Sequence, residues 1–245
     1  MRMRALVLGA LLTVAAPVTA LASPGGERIV GGHNATETYS FVVSLQNSGG
    51  SHFCGGSLIK PNWVVTAKHC VSGQTAGNIN TRIGSNNRTS GGQTAKGSRI
   101  VTHPSSDLAL LQLATSVTLA PATIPAASGA DGTATRIIGW GQTCPQSGCS
   151  TPLPTTLQEL DTTIFADSKC SGINGATEIC TSNPGGNAGA CYGDSGGPQI
   201  RKEGTAWVLI GATSRAGNNN PTCATGPSIY VDVPAHAQWI TQQTG

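Results

Sequence analysis

The chain runs to 245 residues, long enough to bury a real core, and its 33 Gly, 14 Pro and 10% charged residues describe a loop-rich globular protein of one or two compact units. Residues 29–245 carry 11 basic and 10 acidic side chains, so charge does not mark nucleic acid as a partner. Beyond the first 22 residues no stretch is apolar and long enough for a membrane-spanning helix, and nothing supports a lipid anchor.

Residues 1–22 read as a signal peptide. "MRMR" is a basic start, "ALVLGALLTVAA" an apolar run too short to span a bilayer comfortably, and "ALA" a small-residue cleavage site. A secreted, extracellular, soluble product is expected. Short apolar runs then recur between Gly, Asn, Ser and Pro: "SFVVSLQ", "WVVTA", "RIVTH", "LALLQL", "TRIIGW", "AWVLIGAT" and "SIYVDV". They are rich in β-branched and aromatic residues, the pattern of an all-β barrel or sandwich. From Thr38 to Ser106 there is no Asp or Glu, while Lys60, Lys68, Arg82, Arg88, Lys96 and Arg99 all fall there. This reads as an ordinary solvated basic face. Residues 114–135, rich in Pro, Gly, Ser and Thr, read as a linker between two roughly equal halves, 29–135 and 136–245. The tail "VPAHAQWITQQTG" is the one helical candidate, with Ala237, Trp239 and Ile240 along one face. Asn34-Ala35-Thr36 and Asn87-Arg88-Thr89 fit the glycosylation acceptor pattern, a short match that often arises by chance.

Eight cysteines stand at 54, 70, 144, 149, 170, 180, 191 and 223. Behind a signal peptide an even set reads as four disulfides. No CxxC pair occurs, so zinc is the poorer reading. Cys144 and Cys149 are close enough in sequence to close a small local ring.

Within "GACYGDSGGP" (189–198), Ser195 has the setting of a nucleophile. A serine needs a base within hydrogen-bond reach, itself oriented by a third group. Of the five histidines, His33, His52, His103 and His236 lie in polar or turn-like contexts and read as surface or core-edge residues. His69 differs, because it ends the apolar run "WVVTA" and adjoins Cys70, which can pin its loop. Asp107 precedes the apolar run "LALLQL"; by spacing alone a lone Asp there is a turn former.

The segments "ERIVGG" (27–32), "CGGSLI" (54–59), "WVVTAKHC" (63–70), "SDLALLQL" (106–113), "GWG" (139–141) and "CYGDSGGP" (191–198) occur in this order. Together they resemble the chymotrypsin-like (trypsin-like) serine endopeptidases from Ile29 to the end of the chain. The resemblance implies two antiparallel six-stranded β-barrels with the active site in the cleft, plus a C-terminal helix. It implies a monomer that hydrolyses peptide bonds in protein or peptide substrates through an acyl-enzyme, with no cofactor and no metal. Residues 71–90 contain no carboxylate for the loop where some members hold calcium.

Carried over by position, Ser195 is the nucleophile, His69 the base, and Asp107 the group that orients it. Gly193 and Ser195 supply the oxyanion N–H groups. Asp194 is then not the triad acid. It pairs with the α-amino group of Ile29 after cleavage at Arg28, so that 23–28 ("SPGGER") is an activation propeptide and the chain a zymogen. Cys54 pairs with Cys70, Cys170 with Cys180, Cys191 with Cys223, and parity leaves Cys144 with Cys149.

By the same alignment the substrate-binding residues are Gly189, Ala190, Ser214, Arg215, Ala216 and Ser228. Gly189 stands where trypsin-like members carry an Asp, and Ala190 follows, so an apolar P1 residue is expected (chymotrypsin-like or elastase-like) because a cationic one would be buried unpaired. Ala216 and Ser228 narrow the mouth and the depth of the pocket. Arg215 stands where the family usually has Trp, which points to acidic or aromatic groups on the substrate. Lys68 replaces the usual Ala and is expected to point away from the cleft. An enzyme with an apolar pocket does not efficiently activate itself after Arg28, so a separate trypsin-like activating protease is expected. The alternatives are an inactive protease-like protein that binds an acidic partner, and a narrow-specificity processing protease; the presence of His69, Asp107, Gly193 and Ser195 weighs against the first.

Overall fold

The structure is a computed structural model and describes residues 29–149 and 152–245; the signal-peptide and propeptide readings concern residues outside that set. The apolar runs become strands, and the strands close into two barrels. In the first half β2 (Val42–Gln46), β3 (His52–Lys60), β4 (Trp63–Thr66), β5 (Asn80–Ile83), β6 (Gln93–Thr102) and β7 (Ala109–Leu113) form a closed antiparallel barrel in the order β2-β3-β4-β7-β6-β5. Val64 faces Leu111 and Val65 faces Leu110 across β4 and β7, so the two most apolar strands pair with each other. Closure leaves the strands no free edge.

The second half uses β8 (Ala134–Gly139), β9 (Gln158–Phe165), β10 (Glu178–Thr181), β11 (Pro198–Glu203), β12 (Ala206–Ala216) and β13 (Ser228–Asp232). These run in the order β9-β10-β13-β12-β11-β8, and pairing of β8 with β9 closes the ring. A two-residue strand, β1 (His33–Asn34), adds to the edge of β9. The fold is therefore two six-stranded antiparallel barrels, as the resemblance implies. The helix α2 (Ala237–Thr244) ends the chain; Ile240 is buried and Trp239 and Ala237 are half-buried. Lys60 Nζ donates to the Thr244 and Gly245 carbonyls, which holds α2 against the first barrel.

Strand β9 looks polar in sequence, yet Gln158, Glu159 and Leu160 are all buried. Glu159 survives burial because Tyr39 Oη and Thr36 Oγ1 each donate to it at 2.7 Å and Arg136 lies 3.0 Å away. The Arg136 guanidinium also forks onto Asp161 and lies 4.9 Å from the Trp207 ring centroid. This ionic knot ties the segment after residue 29 to the second barrel. Burial and the Glu159 hydrogen bond push the Tyr39 hydroxyl above its ordinary range.

The barrels meet on glycine. A Cβ on Gly55 would fall 2.6 Å from Gly197 Cα, and one on Gly196, at φ +74°, 2.2 Å from Thr66 Oγ1. Glycines in "CGG" and "DSGG" are what let the two backbones touch.

Candidate active site

Beside that contact the first barrel presents α1 (Lys68–Val71), one turn following β4. Cys54–Cys70 pins it to β3, and Gly55 N–H donates to the Ser195 carbonyl at 2.8 Å. His69 and Ser195 are thus brought to one place by a disulfide and one backbone bond. The Cys54, His69 and Cys70 donor atoms lie within 4.8 Å of one another, but both sulfurs are in a disulfide and have no thiolate to offer a metal. The remaining bridges are Cys144–Cys149, Cys170–Cys180 and Cys191–Cys223.

Asp107 lies in the loop between β6 and β7. Its Oδ1 accepts from His69 N at 2.9 Å, and its Oδ2 faces His69 Nδ1 at 2.8 Å and accepts from Ser214 Oγ at 2.7 Å. Burial raises the affinity of Asp107 for a proton, but the bonds from His69 and Ser214 outweigh it and hold the carboxyl below its usual range. With an ionised acceptor opposite Nδ1, the ring carries its proton there and leaves Nε2 free to act as a base. Ser195 Oγ has no hydrogen bond among the described residues, and such links commonly tighten only when substrate binds.

Gly193 adopts φ +99°, and neither its N–H nor that of Ser195 has an acceptor among the described residues. Two unpaired donors two residues apart can serve a developing oxyanion. His52, which the sequence marks only as a core-edge residue, accounts for part of this arrangement: it is buried, with Ser44 Oγ at Nδ1 and the Gly193 carbonyl 2.9 Å from Nε2. Burial lowers its pKa to about 4.

Asp194 is 2% exposed and accepts from Gly141 N at 2.8 Å and Cys191 N at 2.9 Å. "GWG" is explained here, because a Cβ on Gly139 or Gly141 would run into this carboxylate. Ile29 is also buried, among Ile137, Ala188 and Tyr230. Among the described residues no hydrogen bond joins it to Asp194; with residue 28 attached it has an amide in place of an ammonium. Burial pushes the Asp194 carboxyl up to about 7, against the pull of the two N–H donors.

A cavity of about 180 Å³ opens beside Ser195, lined among others by Ala190, Ser214, Ala216, Ala224, Pro227 and Ser228. Among the described residues Arg215 is the one charged side chain in that lining. Gly189 lies behind it; a Cβ there would meet Ala224 Cβ and Ser228 Oγ at 3.9 Å. Tyr192, half-exposed, donates from Oη to the Pro221 carbonyl at 2.8 Å and spans the two segments joined by Cys191–Cys223. No local signal in the sequence announces that contact.

Arg215 is engaged within the chain. Glu178 on β10 takes its guanidinium through Nη1 at 2.5 Å and Nη2 at 2.9 Å, and Nη2 also donates to the Gly172 carbonyl. A cation already forked onto a carboxylate is a poor site for an acidic substrate group. Lys68 points away from the site, with Nζ on the His103 carbonyl at 3.0 Å.

The Trypsin family model matches residues 29–240. Trypsin 5G1 of Aedes aegypti is 35% identical over 92% of this chain and 88% of its own length. A fibrinolytic enzyme, isozyme C, of Lumbricus rubellus is 35% identical over 86% of this chain and 98% of its own. Trypsin of Sus scrofa is 33% identical over 88% and 95%. With its double barrel and the His69–Asp107–Ser214 hydrogen-bonded group beside Ser195, the chain belongs to the trypsin family of serine endopeptidases.

Proposed function

We propose that the protein is a secreted endopeptidase, made as a zymogen, that cleaves after apolar residues. Ser195 Oγ attacks the scissile carbonyl while His69 Nε2 takes its proton. Asp107 steadies the imidazolium, and the N–H groups of Gly193 and Ser195 hold the oxyanion. His69 then protonates the leaving amine, and water repeats the sequence on the acyl-enzyme. The observation that carries this reading is the chain of bonds from Ser214 through Asp107 to His69 beside two unpaired N–H donors.

The P1 preference follows from the cavity. A Lys or Arg side chain would meet Ala190, Ala224 and Ser228 and no carboxylate, at a cost of several kcal/mol. Leu, Met, Phe and Tyr suit it. Upstream of P1 the Arg215–Glu178 pair replaces an apolar shelf by a polar, internally neutral one.

For activation, a trypsin-like protease cuts after Arg28. The new Ile29 ammonium then has as its partner Asp194, a buried carboxylate with no cation beside it among the described residues, and the pair orders the oxyanion segment. Digestion of a peptide library by the form beginning at Ile29, with Ser195→Ala as control, tests the reading. Cleavage after Phe, Tyr, Leu or Met that vanishes in the control is expected; cleavage after Arg or Lys overturns the pocket assignment. Full activity in a form that still begins at Ser23 overturns the zymogen assignment.

A further inference from the structure

The loop that carries Asp107 is tethered to the second half of the chain at two successive residues. Asp107 takes the Ser214 hydroxyl, and Ser106 Oγ lies 2.7 Å from His236 Nε2. His236 is 4% exposed and sits just before α2, 130 residues away in sequence. Its Nδ1 lies 2.7 Å from the Asp232 carbonyl, which can only accept. The ring proton is therefore on Nδ1, and in the neutral ring Nε2 accepts the Ser106 hydroxyl proton.

The anchor behind His236 is firm. Asp232 Oδ1 accepts from Ser128 Oγ at 2.8 Å and from Ala235 N at 3.0 Å. On the other side His103 braces the same loop. Its Nδ1 accepts from Ser106 N at 2.9 Å and Ser105 N at 3.3 Å, and its ring packs edge-on against His236 at 4.8 Å and Trp239 at 4.9 Å. Burial, then the proximity of His236 and Lys68, lowers the pKa of His103, which keeps it the acceptor that two N–H donors require. The titratable or charged groups around the latch are thus His103, Lys68, Asp232 and Asp107.

We propose that Ser106 and His236 form a latch that positions Asp107 for catalysis, a role that rests on the triad assignment above. Two bonds on adjacent residues fix both the place and the tilt of the carboxylate, where one would let it pivot. A carboxylate displaced from His69 Nδ1 stabilises the imidazolium less, and small misplacements are costly in rate.

The test is the kinetics of Ser106→Ala, His236→Phe, their combination and His236→Gln, each in the form beginning at Ile29. Each single truncation should lower kcat about ten-fold with KM changed by less than about two-fold. The acid limb of kcat/KM should move to lower pH by about half a unit. The double variant should be no worse than the poorer single one, the mark of one shared interaction. His236→Gln, whose amide can still meet Ser106, should recover part of kcat. Thermal midpoints identify any variant that fails to fold, and Ser106→Ala, which removes a single atom, decides the matter if His236→Phe does. Unchanged kcat and acid limb, or effects that multiply, overturn the latch. Asp107→Asn is the separate control: loss of about 10⁴ in kcat supports the triad whatever the latch does, and retained activity removes both.

Discussion

Ser214 Oγ and His69 Nδ1 converge on the same oxygen of Asp107, Oδ2, at 2.7 Å and 2.8 Å. The hydroxyl thus competes for, and helps hold ionised, the charge that orients the imidazole. Hydrogen bonds to charged groups contribute about 1.5–3 kcal/mol. Ser214→Ala is therefore expected to lower kcat/KM by about ten-fold or more, measured on a peptide substrate with a P1 Phe or Leu. No change would mean that the two N–H donors of His69 hold Asp107 unaided.

Gly189→Asp should convert the P1 preference. A Cβ at 189 meets nothing closer than 3.8 Å, so the added carboxylate has room beside Ser228. An unpaired buried carboxylate is costly until a cation pairs with it. Activity toward P1 Lys and Arg should rise while that toward P1 Leu and Phe falls, read from kcat/KM over a matched substrate series.

Arg215→Trp should raise kcat/KM for substrates with apolar groups upstream of P1. Arg215 is 40% exposed but its partner Glu178 only 12%, so the variant leaves a largely covered carboxylate without its cation, and a stability loss of about 1–3 kcal/mol is expected alongside the gain. Equal kcat/KM for apolar and polar upstream residues in the variant would show that residue 215 does not form the shelf.

Asp194 makes stability depend on pH in the form still joined to the residues before Ile29. Its carboxyl titrates near 7 when folded, against an ordinary value of 3.8. Between these the folded state binds more protons than the unfolded one, so this contribution is fully present below about pH 4 and is lost as pH rises through about 7. Urea unfolding across that window should show stability declining, and Asp194→Asn should flatten the decline. Release of the Ile29 ammonium should flatten it too, because the carboxylate then has a cation.

Glu159 is completely buried and shares Arg136 with Asp161. Removing one partner of a buried ion pair costs about 3–5 kcal/mol. Arg136→Ala should destabilise by roughly that amount in urea unfolding, whereas Asp161→Ala, on the exposed side, should cost about 1 kcal/mol or less.

Much of this architecture is legible in the sequence. The seven apolar runs correspond to β2, β4, the end of β6, β7, β8, β12 and β13, because a strand buried against a barrel interior must be apolar over four to eight residues. β1, β3, β5, β9, β10 and β11 fall outside that test; β3 is carried by the "CGGSLI" motif alone. "NTRI", "QELDTTIF", "EICT" and "PQIRKE" carry polar or charged side chains whose burial or pairing depends on remote partners, as Glu159 depends on Tyr39 and Arg136. Arg215 shows the same limit: its residue type gives the charge at that position, and only folding brings Glu178 to it.

Local chemistry therefore determined the strands that are apolar throughout, the turn-rich loops, and which residue types could act together around Ser195. The tertiary structure decided how charges are spent. Whether a carboxylate is paired with a cation like Glu159, buried against backbone N–H groups like Asp194, or held ionised like Asp107 depends on groups that lie up to 120 residues away, as Tyr39 does from Glu159, and short-range electrostatics acts through distance in space alone. The link from Ser106 to His236 belongs to that second kind: two ordinary polar residues gain a role only when α2 folds back onto the first barrel.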